Sequence, residues 1–387
     1  MVLIIIINKY NTARGESLES TKEKKMLQQV SSFLFILSIS YAFCTMCNES
    51  NPKAGGTGIG GMKNHIPAYA SLSLYSADSP FNQKINPDYG IDPNSAMLVD
   101  GLSESGQLIL QVKKYSATVY FADKNTPRQN VDLACGPVWE TGVSFLKEVP
   151  IPDGARQVFD GEIGDPPPFG CGEGSDQDNH LIILDLSARC EYDFWQARKT
   201  NNQWEASWGN SIIMDGNGVF PFGLSARGSG FAFLGGVIWP DELKSGEIKH
   251  TLVFNYPFPK SGGPVPPATD SDGYSDRIDA LPEGARVQLN PNLDLNSLNL
   301  TQYEKTIAKA LQDYGMILAD GGGSEDIGLY AINPESTSEN IYSDVLPDED
   351  YVFLPGIPVG EFRVLELPSQ ISDWNLEIVP SGCGGFQ

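Results

Sequence analysis

Residues 176–209, DQDNHLIILDLSARCEYDFWQARKTNNQWEASWG, combine a polar cluster, an apolar run and two segments rich in aromatic residues. The apolar run, residues 181–185, is short and bounded by polar residues, which predicts a buried strand. Residues 192–197 and 204–208 mix aromatic with polar side chains and predict two further strands. Polar groups beside strands of this kind are where β-scaffolds usually carry their sites.

The rest of the chain has the composition of a protein built from many short strands. Of its 387 residues, 40 are glycine and 27 are proline, while 41% are hydrophobic and can form a large core. Further strands are predicted over residues 115–121 and 248–256, and a short helix over residues 96–102. We therefore expect an all-β fold, a mostly antiparallel β-sandwich or jelly roll, with residues 69–387 as a single large β-rich domain.

One main helix is expected near residues 301–315. Thr301 and Glu304 are spaced as a capping box, and apolar residues repeat at helical spacing behind them. Gly315 suits the left-handed position that follows the last turn of a helix. The apolar stripe of this helix is expected to pack in the core.

The N-terminal part predicts an export signal. Three lysines closely precede the apolar run of residues 30–43, which is too short for a typical membrane span. We interpret residues 1–47 as an N-terminal extension and signal peptide, and residues 48–68 as a Gly-rich tether. The protein is expected to be secreted or at the cell surface, without an integral membrane span in the mature chain. Lipid attachment at Cys44 or Cys47 is an open alternative.

The formal net charge of -23 limits the partners. A surface that binds nucleic acid needs clustered lysine and arginine, so no nucleic-acid partner is expected. Solubility explains the acidity in one interpretation, and a cationic ligand or calcium explains it in the other.

Cysteines of an exported protein can form disulfides. Four follow the signal, Cys135, Cys171, Cys190 and Cys383, and they allow three pairings among which the sequence does not choose. No cysteine–histidine spacing typical of a zinc site follows the signal.

The first candidate catalytic group consists of Asp178, His180, Glu191 and Asp193. If the strands over residues 181–185 and 192–197 pair in antiparallel fashion, the histidine and the acids come within range of proton transfer. In the alternative interpretation, the histidine caps a strand and the acids lie on a solvated face.

A second group of ionic residues follows later in the chain. His250 precedes an apolar strand and either faces the same cleft as His180 or is a satisfied core histidine. Glu283, Arg286 and Asp320 are expected to add ionic groups to that cleft. No GxSxG elbow, phosphate loop or GxGxxG after a strand is present, so neither a serine hydrolase nor a nucleotide cofactor is predicted.

The segment DSDGYSD indicates a possible Ca²⁺ site. Asp270, Asp272 and Asp276 place oxygen ligands at intervals around a glycine turn, and Asp279 and Glu283 could complete the coordination. The full EF-hand pattern is absent, however, and such a turn needs no metal.

Aromatic residues around the opening stretch suggest a platform for sugar rings, and we expect Tyr192, Trp195 and Trp208 to bind substrate. The alternative is that these side chains belong to the core. Gly223 to Gly236 is rich in small residues, which indicates a backbone that packs closely or lines a groove.

Several short motifs follow one another along the chain: SPFNQKI with DPNSA within residues 79–96, DNH at 178–180, YDFW at 192–195, IKHTL at 248–252, PEGAR at 282–286 and QDYG at 312–315. With these motifs the chain resembles an uncharacterised family of secreted bacterial, often actinobacterial, proteins, over about residues 79–323. The resemblance implies no settled activity. The acid-rich DSDGYSD loop departs from the simpler TDG of that family.

Export, a β-scaffold, aromatic groups and a histidine–carboxylate cluster together predict a secreted carbohydrate-active enzyme that degrades an extracellular polysaccharide. A glycoside hydrolase would use two acidic candidates as acid and base, chosen from Asp178, Glu191, Asp193 and Glu283. A polysaccharide lyase would use His180 or His250 with a tyrosine, while Arg286 neutralises the substrate carboxylate. The alternative is a non-catalytic glycan-binding or structural β-protein.

Overall fold

The structure is a computed structural model that describes residues 64–160, 171, 177–221, 223–322, 326–373, 377–378 and 381–386. Its strands are β1 (Leu108–Gln111), β2 (Thr118–Ala122), β3 (Arg128–Leu133), β4 (Phe145–Pro150), β5 (Leu181–Asp185), β6 (Cys190–Trp195), β7 (Arg198–Thr200), β8 (Gln203–Ala206), β9 (Trp208–Ile213), β10 (Leu252–Tyr256), β11 (Arg286–Leu289), β12 (Met316–Gly321), β13 (Ile327–Tyr330), β14 (Tyr351–Phe353) and β15 (Phe362–Val364). Its α-helices are α1 (Tyr69–Leu72), α2 (Ser95–Glu104), α3 (Cys135–Val138), α4 (Pro240–Ser245) and α5 (Gln302–Asp313). Short 3-10 helices cover Pro80–Asn82, Leu295–Ser297, Pro334–Ser336 and Val359–Glu361. The predicted signal peptide and most of the predicted tether lie outside the described residues.

These strands form three sheets. The large sheet has the order β14-β1-β13-β10-β12-β11-β15, the inner sheet β2-β5-β6-β9, and the outer sheet β4-β3-β8-β7. Within the described part, eight neighbouring strand pairs are antiparallel and four are parallel. The all-β prediction is confirmed at this level, because strands dominate and helices are few. A sandwich or jelly roll stays a prediction.

The inner sheet is buried on both faces. Leu181 and Ile183 of β5 pack with residues of the outer sheet, whereas Ile182 and Leu184 pack with residues of the large sheet. A strand covered on both faces needs apolar side chains at successive positions, and this explains the continuous apolar run. The three sheets therefore stack in the order outer, inner, large.

Helices α2 and α5 cover the other face of the large sheet. Leu102 of α2 and Ile307 and Leu311 of α5 share one core with Phe254 and Leu318 of the sheet. The next residues along these strands, such as Val253 and Ile317, face the inner sheet instead, because side chains alternate along a strand. The two helices thus close the fold on the side away from the inner sheet.

The longest described helix, α5, has the ends that its sequence predicts. Glu304 N donates a hydrogen bond to Thr301 Oγ1 at 3.3 Å, and Thr301 N donates one to Glu304 Oε2 at 2.8 Å. Gly315 follows the last turn with φ of 69°, a conformation that glycine adopts without a steric cost. The predicted capping box and helix end are confirmed.

The strands predicted in the opening stretch are present, but one of them is split. β5 and β6 pair in antiparallel register, so Ile182 lies opposite Asp193 and Leu184 opposite Glu191. Residues 204–208 contain the end of β8 and the start of β9, which belong to different sheets. The chain changes sheet at Ser207, whose backbone N donates to Trp195 O at 3.1 Å.

Two disulfides connect the four cysteines. Cys135 pairs with Cys171, and Cys190 pairs with Cys383, which ties the start of β6 to the C-terminal segment. One of the three open pairings is thereby selected. In the part of the chain that the structure describes, no helix has both the length and the apolar character needed to cross a membrane.

Candidate functional site

A cleft of about 1020 Å³ lies at one edge of the inner sheet, where β5 and β9 begin and β6 ends. The end of β12 from the large sheet and residues 224–228 of the small-residue segment also line it. Antiparallel pairing places the end of one strand beside the beginning of its neighbour, and so collects residues distant in sequence at one edge. The polar cluster before β5 and the aromatic end of β6 meet here for this reason.

The aromatic lining consists of Trp139, Trp195 and Trp208. Trp139 is 37% exposed and its ring centroid lies 5.6 Å from that of Trp208, whose side chain is almost fully buried. The indole N–H of Trp195 donates to Asp178 Oδ1 at 3.0 Å, and that of Trp208 donates to Leu224 O at 2.8 Å. Rings fixed in this way can present a rigid apolar surface to a ligand.

Asp178 is a carboxylate that is accessible from the cleft and has a raised pKa. Its side chain keeps 40% of its surface exposed within the cleft, and its backbone N–H donates to Asp160 Oδ2 at 3.0 Å. Partial burial in the cleft, with a smaller contribution from the negative charge of Asp160, raises the pKa of Asp178 to about 7. A carboxyl group with that pKa can donate and accept a proton near neutral pH.

His180 lies beside Asp178 but is itself nearly inaccessible, with 3% of its side chain exposed. Its Nδ1 lies 3.3 Å from Phe194 O, and because a carbonyl only accepts, the proton of the neutral ring belongs on Nδ1. Nε2 is then an acceptor and lies 3.8 Å from Asp178 Oδ2. Burial, with the positive charge of Arg227, lowers the pKa of His180 to about 3, so the ring stays neutral near pH 7.

Three further carboxylates, which we call the cleft triad, come together next to this pair: Asp272, Glu283 and Asp320. One carboxylate oxygen of each lies within 4.8 Å of those of the other two. Asp272 and Asp320 line the cleft, while Glu283 is fully buried and its Oε2 accepts a hydrogen bond from Asp272 N at 3.0 Å. Burial raises the pKa of all three, and mutual repulsion adds to the effect for Glu283 and Asp320.

Two glycines let the backbone approach this triad. A Cβ at position 228 would lie 2.6 Å from Asp272 Cγ, and a Cβ at position 321 would lie 3.3 Å from Asp272 Oδ1. Gly228 N also donates to Asp320 Oδ1 at 3.1 Å. Residues 224–228, which belong to the segment Gly223 to Gly236, therefore line the cleft and leave room for the carboxylates. This agrees with the expectation from the sequence that the backbone of the segment packs closely or lines a groove.

Arg227 brings a buried positive charge to the same cleft. Its guanidinium lies 4.3 Å from the ring centroid of Phe233 and 4.5 Å from that of Tyr330, and its Nη2 donates to Phe233 O at 2.6 Å. Its Nε and Nη1 have no hydrogen-bond partner among the described residues. Asp178, Asp270, Asp272 and Asp320 line the cleft too, so acidic side chains outnumber this single arginine there.

Glu191 and Asp193, which we call the interior pair, do not line this cleft. Both are fully buried on the face of β6 that packs toward the large sheet. Glu191 accepts hydrogen bonds from Tyr75 Oη at 2.6 Å and Leu234 N at 2.9 Å, and Asp193 accepts one from Phe233 N at 2.9 Å. Burial raises the pKa of both, and the negative charge of Glu191 raises that of Asp193 further.

His250 and Arg286 lie elsewhere. His250 is fully buried with Nε2 3.1 Å from Glu242 Oε2, and this partner keeps its pKa above the ordinary value although burial alone would lower it. The Arg286 guanidinium donates to Tyr314 O and Thr251 Oγ1, and burial lowers its pKa to about 10. Neither side chain lines the cleft that contains His180.

The remaining predicted residues are divided between the cleft and other places. Tyr192 is buried in the core between the inner and outer sheets. Asp270 lines the cleft and accepts a hydrogen bond from Leu224 N at 3.2 Å, whereas the exposed Asp276 accepts one from Ser261 Oγ at 2.7 Å. Asp279 is paired with Arg277 at 2.7 Å. The DSDGYSD segment therefore contributes two of its aspartates to the cleft and turns the third away.

Three residues of the site escaped the sequence analysis: Trp139, Asp160 and Arg227. Trp139 follows the disulfide-bonded Cys135 closely, and Arg227 is the one basic residue of a segment otherwise rich in small residues. These were the signals available. Asp160 accepts hydrogen bonds from the backbone N–H groups of residues 178 and 179, and no local sequence pattern connects it with them.

No protein-family model, no curated protein and no solved structure matches the chain.

Proposed function

We propose that this protein is a secreted or cell-surface carbohydrate-active enzyme, and specifically a glycoside hydrolase that acts on an extracellular polysaccharide with few or no acidic groups. The observation that carries the proposal is Asp178, an accessible carboxyl group with a pKa of about 7 in a tryptophan-lined cleft. Glycoside hydrolysis needs one carboxyl group that is still protonated near neutral pH and can donate to the leaving oxygen.

The residues of the cleft have separate roles in this proposal. Trp139 and Trp195 would hold sugar rings against their faces, and the indole N–H of Trp195 orients Asp178. Asp178 would protonate the glycosidic oxygen. The second carboxylate would be Asp272 or Asp320, which line the cleft close enough for their charges to interact with that of Asp178.

The cleft favours a hydrolase over a polysaccharide lyase. A lyase has to neutralise the carboxylate of a uronic acid, and Arg286 makes its hydrogen bonds outside the cleft. Arg227 is in the cleft, but the surrounding aspartates leave the lining negative. A polyanionic substrate would be repelled.

The test is incubation of the purified chain with plant, algal and microbial polysaccharides, with both new reducing ends and the absorbance of unsaturated uronates measured. We expect reducing ends without that absorbance. The Asp178→Asn variant should lower the rate by about 100- to 10,000-fold, the usual contribution of a general acid. The matched control is Asp276→Asn, at an exposed aspartate outside the cleft, which should keep full activity.

Two results would contradict this proposal. Unchanged turnover by Asp178→Asn would remove the residue from the chemistry, and absorbance from unsaturated uronates would indicate a lyase. Retention of one glycan without any turnover would favour the second candidate, a glycan-binding protein, for which the three tryptophans of the lining are the supporting observation.

A further inference from the structure

The cleft triad has more negative charge in one place than its protein surroundings balance. Its three carboxylates come within 4.8 Å of one another, so they repel unless protons or a cation lie between them. Among the described residues, no ion pair joins Asp272, Glu283 or Asp320 to a lysine or arginine. Two carboxylates can share one proton, and the attraction of Arg227 for Asp320 offsets part of the remaining charge, whereas a multivalent cation would balance all three carboxylates.

Glu283 provides a second observation, independent of the clustering. The residue is fully buried, and although its Oε2 accepts from Asp272 N, its Oε1 has no hydrogen-bond donor among the described residues. A buried carboxylate oxygen without a partner costs free energy unless something else satisfies it. The carboxylate that carries this oxygen belongs to the triad, so a cation held there would be placed to satisfy it.

We propose that Asp272, Glu283 and Asp320 bind a calcium ion at the edge of the cleft. Calcium prefers carboxylate oxygens at about 2.4 Å, so two ligands on opposite sides of the ion lie about 4.8 Å apart. The oxygens of the triad fit within that span. Magnesium demands near-ideal octahedral geometry and gives up its waters reluctantly, so three carboxylates from separate parts of the chain suit the more adaptable coordination of calcium. Waters from the cleft, which Asp272 and Asp320 line, would complete the coordination and give the ion its path of entry.

This site differs from a loop site built on the DSDGYSD segment alone. Only Asp272 of that segment takes part, while Glu283 comes from the turn before β11 and Asp320 from the end of β12. An ion would therefore join the segment to the large sheet. The inference does not depend on hydrolysis, because ion binding can be measured without any glycan.

The experiment is calorimetric titration of the full chain, stripped with chelator, with CaCl₂ at pH 7.5, and separately with MgCl₂. We expect one Ca²⁺ per chain, bound more tightly than Mg²⁺. Glu283→Gln and Asp320→Asn should each weaken the affinity by about tenfold or more, since each removes a charged ligand. Asp276→Asn is the matched control from the same segment and should bind as the unchanged chain does.

Circular dichroism of each variant checks that the fold persists, and Glu283→Gln keeps the shape of the side chain. Absence of Ca²⁺ binding by the folded chain, or binding that survives both ligand substitutions, would overturn the site. Loss of binding in Asp276→Asn would place the ion in the loop and overturn it too. Tighter binding of Mg²⁺ would overturn the assignment to calcium. A calcium-binding chain without activity on any polysaccharide would leave this site standing and reject only the proposed function.

Discussion

The interior pair and the cleft triad are both groups of carboxylates with raised pKa values, but the pair is fully buried whereas the triad runs from the buried Glu283 to the exposed Asp272. The pair receives hydrogen bonds from Tyr75, Leu234 and Phe233, and its two acids can share one proton. Each group has one buried oxygen without a donor among the described residues, Asp193 Oδ1 in the pair and Glu283 Oε1 in the triad, but the triad also has a third carboxylate and an opening to the cleft. Neither a perturbed pKa nor one unsatisfied oxygen therefore marks a site by itself; the third carboxylate and the access from the cleft distinguish the triad.

The largest effect on stability is expected from Glu191→Ala in the interior pair. The substitution leaves Tyr75 Oη and Leu234 N–H without their acceptor in a fully buried place. Since each unsatisfied buried donor costs about 1–3 kcal/mol, we expect a loss of about 4 kcal/mol in the free energy of unfolding. Urea unfolding monitored by tryptophan fluorescence measures it.

The milder Glu191→Gln keeps one acceptor oxygen and should cost about 1–3 kcal/mol. If both variants were as stable as the unchanged chain, the hydrogen bonds of Glu191 would not stabilise the fold. The pair and the triad would then no longer differ in their contribution to stability.

The same change in the triad should have the opposite sign. In chelator at pH 7.5, Glu283→Gln is expected to raise the free energy of unfolding, because the amide removes one of three mutually repelling carboxylates, whereas Glu191 accepts two buried hydrogen bonds that its Gln variant keeps only in part. With saturating Ca²⁺ the order should reverse, since only the unchanged chain gains the binding energy of the ion. A variant less stable than the unchanged chain in both conditions would show that Glu283 is structural.

The pH dependence of stability should separate His180 from His250 and the triad. His180, with its pKa lowered to about 3, makes stability rise with pH only between about 3 and its ordinary 6.5. The raised pKa values of Glu283 and Asp320 act in the opposite direction from their ordinary values of 4.5 and 3.8 upward, and that of His250 does so from 6.5 upward, because the folded chain holds protons that the unfolded chain has lost.

The melting temperature in chelator should therefore fall as the pH rises above 6.5, where the contribution of His180 ends, and Ca²⁺ should reduce the slope because it replaces protons at the triad. A melting temperature that rises over this range in chelator would contradict the raised values.

The sequence predicted the elements well where local chemistry decides them. Two examples are the capping box of Thr301 and Glu304 and the apolar run of β5. Each depends only on residues close together in the sequence, so each could be recognised without knowing which element packs against it. The switch between sheets at Ser207 could not, because it depends on which strand lies beside the next one.

The same limit applies to the site. Asp178 and His180 were found because they immediately precede a strong strand. Glu191 and Asp193 alternate along β6 like residues of an exposed face, but the large sheet covers that face. Arg227 and the meeting of Asp320 with Asp272 depend on contacts between residues far apart in sequence, which one sequence without its fold does not show.

The smallest effect is expected from Asp276→Asn, and it is the change that most directly tests whether the triad or the loop carries the metal. Asp276 is exposed and accepts from Ser261 Oγ at 2.7 Å, a bond that the amide oxygen of asparagine can keep. The free energy of unfolding should change by no more than about 0.5 kcal/mol, as at most surface positions. This small change should be the same in chelator and in Ca²⁺. A destabilisation that appears only with Ca²⁺ would mean that the ion is bound by the loop, and the triad would then be one more buried carboxylate group like the interior pair.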